Sequence, residues 1–239
     1  MADKPRGEHP RAATSKGEFT PSWQRSTDPE SRWLAFAAVV VIIAGQTWVA
    51  NSLSFRPVWL FPAISGILLV ASVAVYMPRR TMPSRAARAL SFGLVAVLVI
   101  ANLISLVLLV RGVFVGSGLS PTGLLLAGAA LWVVNLAVFA LIYWELDGGG
   151  PEARADGYRN YPDLVFPQQQ QDQQGLAPAD WKPTLPDYLY VSLTSATAFS
   201  PTDAMPYSKL AKLVMGMEST ISFVIAAMLV ARAINIAHG

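Results

Sequence analysis

Side chains that could do chemistry are few in this sequence, and most lie in its last fifth. One short segment carries four hydroxyl groups, and an acidic residue, Glu218, follows inside an apolar run. The chain has no cysteine, and both histidines lie in its tails. Thiolate chemistry is therefore excluded, and a serine without a neighbouring base is not a nucleophile, so we expect no enzyme, no metal and no cofactor. The four hydroxyl residues are Ser192, Thr194, Ser195 and Thr197.

The composition favours a membrane protein. Of the 239 residues, 53% are hydrophobic and only 14% are charged, whereas soluble domains carry about 25% charged residues. A membrane-spanning helix needs roughly 20 mainly apolar residues. We therefore predict an all-α polytopic membrane protein with five transmembrane helices. The predicted spans cover about 33–53, 58–76, 87–110, 121–144 and 210–234.

The segments outside these spans differ in character. Residues 1–32 are predicted to be a disordered polar tail, and 33–144 to hold the first four spans. Residues 145–186 form an acidic loop rich in Pro, Gly and Gln, with few aliphatic residues. A short semi-apolar segment, 187–206, comes before the final span and tail at 207–239.

That short segment is the most informative part of the chain. Its apolar run of about 13 residues is too short to cross a bilayer as a helix. The pattern alone leaves two interpretations open. It is either a re-entrant element that forms a pore or a binding site, or an amphipathic helix on the membrane surface that links the loop to the last span.

Residues 187–203 read DYLYVSLTSATAFSPTD. This segment resembles the pore helix and filter of the two-helix potassium-channel pore module, which commonly reads Y-F-S-F-V-T-L-T-T-V-G-Y-G-D-x-x-P. The final span is similar to the inner helix of bacterial members, so the resemblance covers about 46 residues. The chain also resembles uncharacterised bacterial membrane families with a degenerate pore loop. The matching positions are Tyr190, Ser192, Thr197, Asp203 and Pro206.

The resemblance implies that residues 187–206 form one re-entrant pore-type helix and its loop, in addition to the five transmembrane helices. The pore loop consists of Thr197, Ala198, Phe199, Ser200, Pro201, Thr202 and Asp203. Pore-helix or packing roles fall to Tyr190, Ser192, Thr194 and Glu218. Ser200 and Thr202 replace both filter glycines, and Pro201 restricts the backbone between them. A potassium-type ladder of carbonyl groups is therefore not expected.

Two acidic residues have two interpretations each. Glu218 either contacts ions or is hydrogen-bonded behind the pore helix, to Tyr190 or to a threonine hydroxyl. Asp203 either attracts cations at the loop mouth or caps the turn before Pro206. For Asn102 and Asn135, which lie inside predicted spans, we expect hydrogen bonds between helices.

The expected function is that of a weakly selective ion channel, assembled as a homotetramer because one hairpin encloses no pore. The alternative is a non-conducting membrane scaffold or sensor with a vestigial pore loop. The expected partners are a lipid bilayer and inorganic ions, with no nucleic acid.

Lys and Arg residues collect on one side of the predicted topology. The N-terminal tail, the second connector and the acidic loop share that side. This predicts a cytoplasmic N-terminus. The Ala-, Val- and Arg-rich composition suggests a bacterium, so the expected location is a bacterial inner membrane. The pore loop then enters from inside, opposite to potassium channels.

Overall fold

The computed structural model describes residues 20–28, 30–76, 85–115, 120–157, 161–170, 177–178, 180–197 and 204–237. The regular secondary structure of these ranges is helical, apart from a two-residue antiparallel pairing between β1 (Leu164–Val165) and β2 (Met205–Pro206). The prediction of an all-α fold is confirmed to that extent. The helices are α1 (Trp33–Ser52), α2 (Leu60–Tyr76), α3 (Arg85–Phe114), α4 (Pro121–Leu146), α5 (Pro151–Asp156), α6 (Pro167–Gln170), α7 (Leu185–Thr197) and α8 (Lys209–Ala237).

Four of these helices, α1, α3, α4 and α8, are long and apolar enough to cross a membrane. Helix α2 is also apolar but has only 17 residues. At about 1.5 Å per residue it extends about 26 Å, which is less than the roughly 30 Å of a bilayer core. The described structure thus supports four spans by length and composition, and the fifth stays a prediction.

Helix α4 lies at the centre of the bundle. It begins where the Ser120 side chain accepts a hydrogen bond from the Gly123 amide at 3.1 Å, with Pro121 in the first turn. It packs against α1, α3, α7 and α8. At Gly128 a Cβ atom would lie 2.7 Å from Leu229 of α8. The absence of a side chain there therefore lets α4 and α8 approach closely.

Arg32 fixes one end of the bundle, which we call the Arg32 end. Its guanidinium binds both carboxylate oxygens of Glu152 at 2.6 Å and also donates to Glu145 at 3.1 Å and Ser91 at 3.0 Å. It lies 5.2 Å from the centre of the Trp144 ring. Burial disfavours its charge, but the two carboxylates outweigh this and hold the Arg32 pKa above its usual value. The start of α1 is thereby joined to α3, α4 and α5.

The sequence placed Arg32 in a disordered tail, yet Arg32 is only 9% exposed. Nearby, the Thr27 amide donates to the Ala155 carbonyl at 2.9 Å. Periodicity could not identify this segment as ordered, because its partners lie more than 50 residues away and the segment itself has no apolar pattern. Residues 1–19 of the predicted tail lie outside the described residues.

The acidic loop contributes to the core despite its composition. Leu164 and Phe166 lie in the main hydrophobic cluster with Trp144 and Tyr188. The buried carboxylate of Asp147 accepts hydrogen bonds from the Asp163 and Leu164 amides at 2.9 and 3.0 Å. The backbone of this short stretch can be buried because the Asp147 carboxylate accepts hydrogen bonds from its amides.

We predict that Arg32→Ala lowers the free energy of unfolding by about 3–5 kcal/mol, because it leaves Glu145 buried without its cation. The matched control is Arg85→Ala, which removes an exposed arginine at the start of α3. Thermal unfolding of the purified protein in detergent micelles measures both. Equal unfolding temperatures for the two variants would contradict the structural role given to Arg32.

Candidate functional site

Helix α7 begins at the Arg32 end of the bundle. The Thr184 amide and hydroxyl both donate to the Asp187 carboxylate at 2.7 Å, which caps the first turn. The Leu185 amide donates to Glu30 at 3.0 Å, and Glu30 also accepts from the Trp144 indole at 2.7 Å. The start of α7 is therefore tied to the last turn of α4.

After α7 the chain returns to the same end of α4. Residues 198–203 lie outside the described residues. Beyond them, Met205 pairs with Val165, and the Tyr207 amide donates to the Asp163 carbonyl at 2.8 Å. The Asp163 carboxylate in turn accepts from the Gly148 amide, just past the end of α4, at 3.0 Å.

Between these two points α7 reaches well into the bundle. The Ser192 hydroxyl lies 2.8 Å from the Leu136 carbonyl oxygen. Leu136 lies ten residues before the end of α4 at Leu146, which is a depth of about 15 Å. Helix α7 packs there between α4 and α8.

A buried carboxyl group joins these three helices. Glu218 of α8 is 0% exposed. It is hydrogen-bonded to the Tyr143 hydroxyl of α4 and to the Ser192 hydroxyl of α7. Tyr190 or a threonine was predicted as its partner, and the structure gives Ser192 and Tyr143 instead.

A second group of polar contacts extends from this cluster along α8. The Asn102 amide of α3 donates to Asn135 of α4 at 2.7 Å, and the Asn135 amide donates to Ser222 at 3.0 Å. Ser222 follows Glu218 by four residues and so lies on the same face of α8. These contacts are the hydrogen bonds between helices that were expected for Asn102 and Asn135.

The other predicted site residues are not part of this cluster. Tyr190 is 54% exposed. The hydroxyls of Thr194 and Thr197 donate to carbonyls of α7 itself, at Tyr190 and Leu193, both at 2.9 Å. The predicted pore-loop residues Ala198, Phe199, Ser200, Pro201, Thr202 and Asp203 lie outside the described residues.

Sequence reasoning missed Tyr143. This tyrosine precedes Trp144 at the end of an apolar span, where aromatic residues commonly mark the membrane interface. It is instead fully buried and faces Glu218. The sequence signal for a buried polar contact was a tyrosine hydroxyl inside an apolar helix. Its partner lies 75 positions away, so only the fold brings the two residues together.

The cluster consists of hydroxyl, amide and carboxyl groups. Among the described residues, no group of three or more His, Asp or Glu side chains could hold a metal ion. The chain matches no family model, no curated protein and no solved structure.

We predict that Ser192→Ala destabilises the protein by about 1–3 kcal/mol, because it removes hydrogen bonds to both α4 and α8. Thr194→Val is the matched control, since that hydroxyl bonds only within α7. Unfolding of the two variants is compared by circular dichroism in lipid discs. A loss for Thr194→Val as large as that for Ser192→Ala would show that α7 is not held through Ser192.

Proposed function

We propose that this chain is a channel-type membrane protein in which α7 and residues 198–207 form a re-entrant pore element. The observation that supports this most directly is that the chain enters beside the end of α4, reaches Leu136, and returns to β1 at the same end. A surface helix would not place a serine side chain about 15 Å deep along α4. Non-helical backbone at such depth is tolerated only where protein buries it or water lines it.

The pore needs more than one chain, because a single hairpin encloses nothing. One face of α7 carries Leu189, Tyr190 and Leu193, which are 46%, 54% and 41% exposed. In a ring of four copies, this face packs against the neighbouring chain or faces the central axis. Helices α1 to α3 then form a peripheral bundle.

Ion selectivity in this assembly is weak. Ser200 and Thr202 stand where potassium channels have glycine, so the backbone cannot present a regular ladder of carbonyl groups. Asp203 supplies negative charge at the mouth and favours cations over anions. Potassium selectivity is not part of the proposal.

The proposed setting is a bacterial inner membrane with the N-terminus in the cytoplasm. The Arg32 end then faces inside, because the second connector at this end holds four arginines. The re-entrant element enters from the cytoplasm, in the inverted orientation.

Single cysteines test this topology cleanly, because the natural chain has none. Gln168→Cys lies in α6 beside the Arg32 end, and Thr122→Cys lies in the first turn of α4 at the other end. We expect a membrane-impermeant maleimide to label Thr122→Cys in intact cells and Gln168→Cys only after lysis. The reverse pattern would place the hairpin outside, and labelling of both from one side would show that α4 does not cross.

Conduction is tested by single-channel recording of purified protein in planar bilayers under salt gradients. We expect discrete currents whose reversal potential shifts toward lower cation preference in Asp203→Asn. Asp156→Asn is the matched control, since it removes an exposed carboxylate of α5 outside the proposed pore. Currents with equal reversal potentials in both variants would contradict the placement of Asp203 at the mouth.

The second candidate is a non-conducting scaffold or sensor. Its support is the Arg32 end itself, where residues 20–32, the acidic loop and α7 are held together by buried ion pairs and hydrogen bonds. Such an end could report binding of a soluble partner to the bundle. Absence of current at every voltage, from protein shown to be folded and oligomeric, would favour this candidate over the channel.

A further inference from the structure

Glu218 is buried without a cation. Among the described residues, Arg32 pairs with Glu145 and Glu152, and Arg154 lies 4.0 Å from Glu30. No basic side chain of that part of the chain forms an ion pair with Glu218. An ionised carboxylate buried without a compensating charge is strongly unfavourable.

Hydrogen counting at Ser192 indicates which form of the carboxyl is present. A serine hydroxyl carries one hydrogen. The Leu136 carbonyl oxygen, 2.8 Å away, can only accept, so this hydrogen points to α4. Glu218 also contacts the Ser192 oxygen. Both contacts are hydrogen bonds at the same time only when a neutral carboxyl group supplies the second hydrogen.

Two more hydroxyl groups lie next to this contact. The Ser219 hydroxyl donates to the Ser195 carbonyl at 3.2 Å, and the two hydroxyl oxygens lie 3.2 Å apart. The Ser195 hydroxyl is also a hydrogen-bond partner of Glu218. The Tyr143 hydroxyl bonds the other carboxyl oxygen of Glu218. All of these hydroxyl groups are neutral, so none of them supplies the positive charge that an ionised Glu218 would need.

We propose that Glu218 is a proton-binding site, in which a neutral carboxyl group donates its proton to Ser192, and that loss of this proton breaks the hydroxyl contact between α7 and α4. The inference goes beyond the proposed channel and does not depend on ion conduction. It adds a proton-binding site to the element that would form the pore.

The loss of this contact follows from the same count of hydrogens. Once the proton leaves Oε1 of Glu218, that oxygen can only accept. The single hydrogen of Ser192 then turns from the Leu136 carbonyl to the carboxylate. The hydroxyl contact between α7 and α4 is lost, while the contact between α7 and α8 is kept.

Few other groups of the described chain bear on this titration. Tyr143 is the titratable side chain of α4 that contacts the carboxyl, and Glu145, further along α4, is paired with Arg32. Helix α7 faces it with the Ser192 and Ser195 hydroxyls, and α3 brings only the neutral amide of Asn102 to the adjoining contacts. The charged residues of α8 itself lie away from Glu218, toward the two ends of the helix: Lys209, Lys212 and Arg232.

The first test is infrared difference spectroscopy of the full chain in lipid discs at neutral pH. We expect the wild type to show the C=O stretch of a protonated carboxyl group that Glu218→Gln removes. Gln keeps one acceptor for Tyr143 and one donor for Ser192, so this variant retains the fold. Asp156→Asn, which removes an exposed carboxylate, should leave the band unchanged. An identical band in wild type and Glu218→Gln would overturn the proposal.

The second test measures whether the end of α7 becomes more accessible when its hydroxyl contact with α4 is lost. Thr197→Cys places the only thiol of the chain at the end of α7. On raising the pH, we expect its maleimide reaction rate to increase severalfold more in the wild-type background than in the Glu218→Gln background. Comparing the two backgrounds removes the effect of the thiol's own ionisation, because this effect is the same in both. The control, Thr220→Cys on the exposed face of α8, should react equally in both backgrounds.

Equal increases in the reaction rate of Thr197→Cys in the two backgrounds would overturn the coupling between the Glu218 proton and α7. Ser192→Ala provides an independent check. It retains the carboxyl group but removes the hydroxyl that links it to α4, so we expect its carboxyl band to persist at a shifted frequency and the pH effect on Thr197→Cys to vanish. Neither the carboxyl band nor the maleimide rate depends on ion conduction. A protein that gives both expected results but carries no current would contradict the proposed function and not this inference.

Discussion

Two buried acidic side chains and a set of backbone carbonyls without helical partners meet at the carboxyl end of α4. Arg32 neutralises Glu145, and Arg154 donates to the carbonyls of Trp144 and Asp147 at 2.7 and 2.8 Å. The groups that bind the charges and carbonyls of this helix end come from the segment before α1, from helix α5 and from the acidic loop. The described loops are ordered here because α4 ends inside the protein rather than in water.

That ordered end determines where α7 can go. Its first turn is tied to α4 through Glu30, and its return is tied to the same place through β1 and β2. A segment with both ends anchored at one end of the bundle does not cross to the other end. Glu218 then gives α7 a fixed depth by bonding Ser192 between α4 and α8. The proposed pore element is thus positioned by polar contacts rather than by apolar packing alone.

Local patterns predicted much of the fold. The apolar runs located α1, α3, α4 and α8, and the short run at 187–200 located α7 within a few residues. Contacts between distant residues were beyond such patterns. Glu218 was singled out inside the last span, with ion contact and a hydrogen bond behind the pore helix both left open. Its partner Tyr143 was not predicted, since nothing local to either residue specifies the other. Arg32 and Leu164 were assigned to polar segments because their neighbours in sequence are polar, although their neighbours in space are not.

The proposed channel requires that α7 and the residues after it form a re-entrant element that faces a shared axis in an assembly of identical chains. An electron cryo-microscopy structure of the purified protein in lipid discs tests this most directly. We expect a ring of four copies in which Leu189, Tyr190 and Leu193 contact a neighbouring chain or the axis. A single chain with that face of α7 covered by lipid would contradict it.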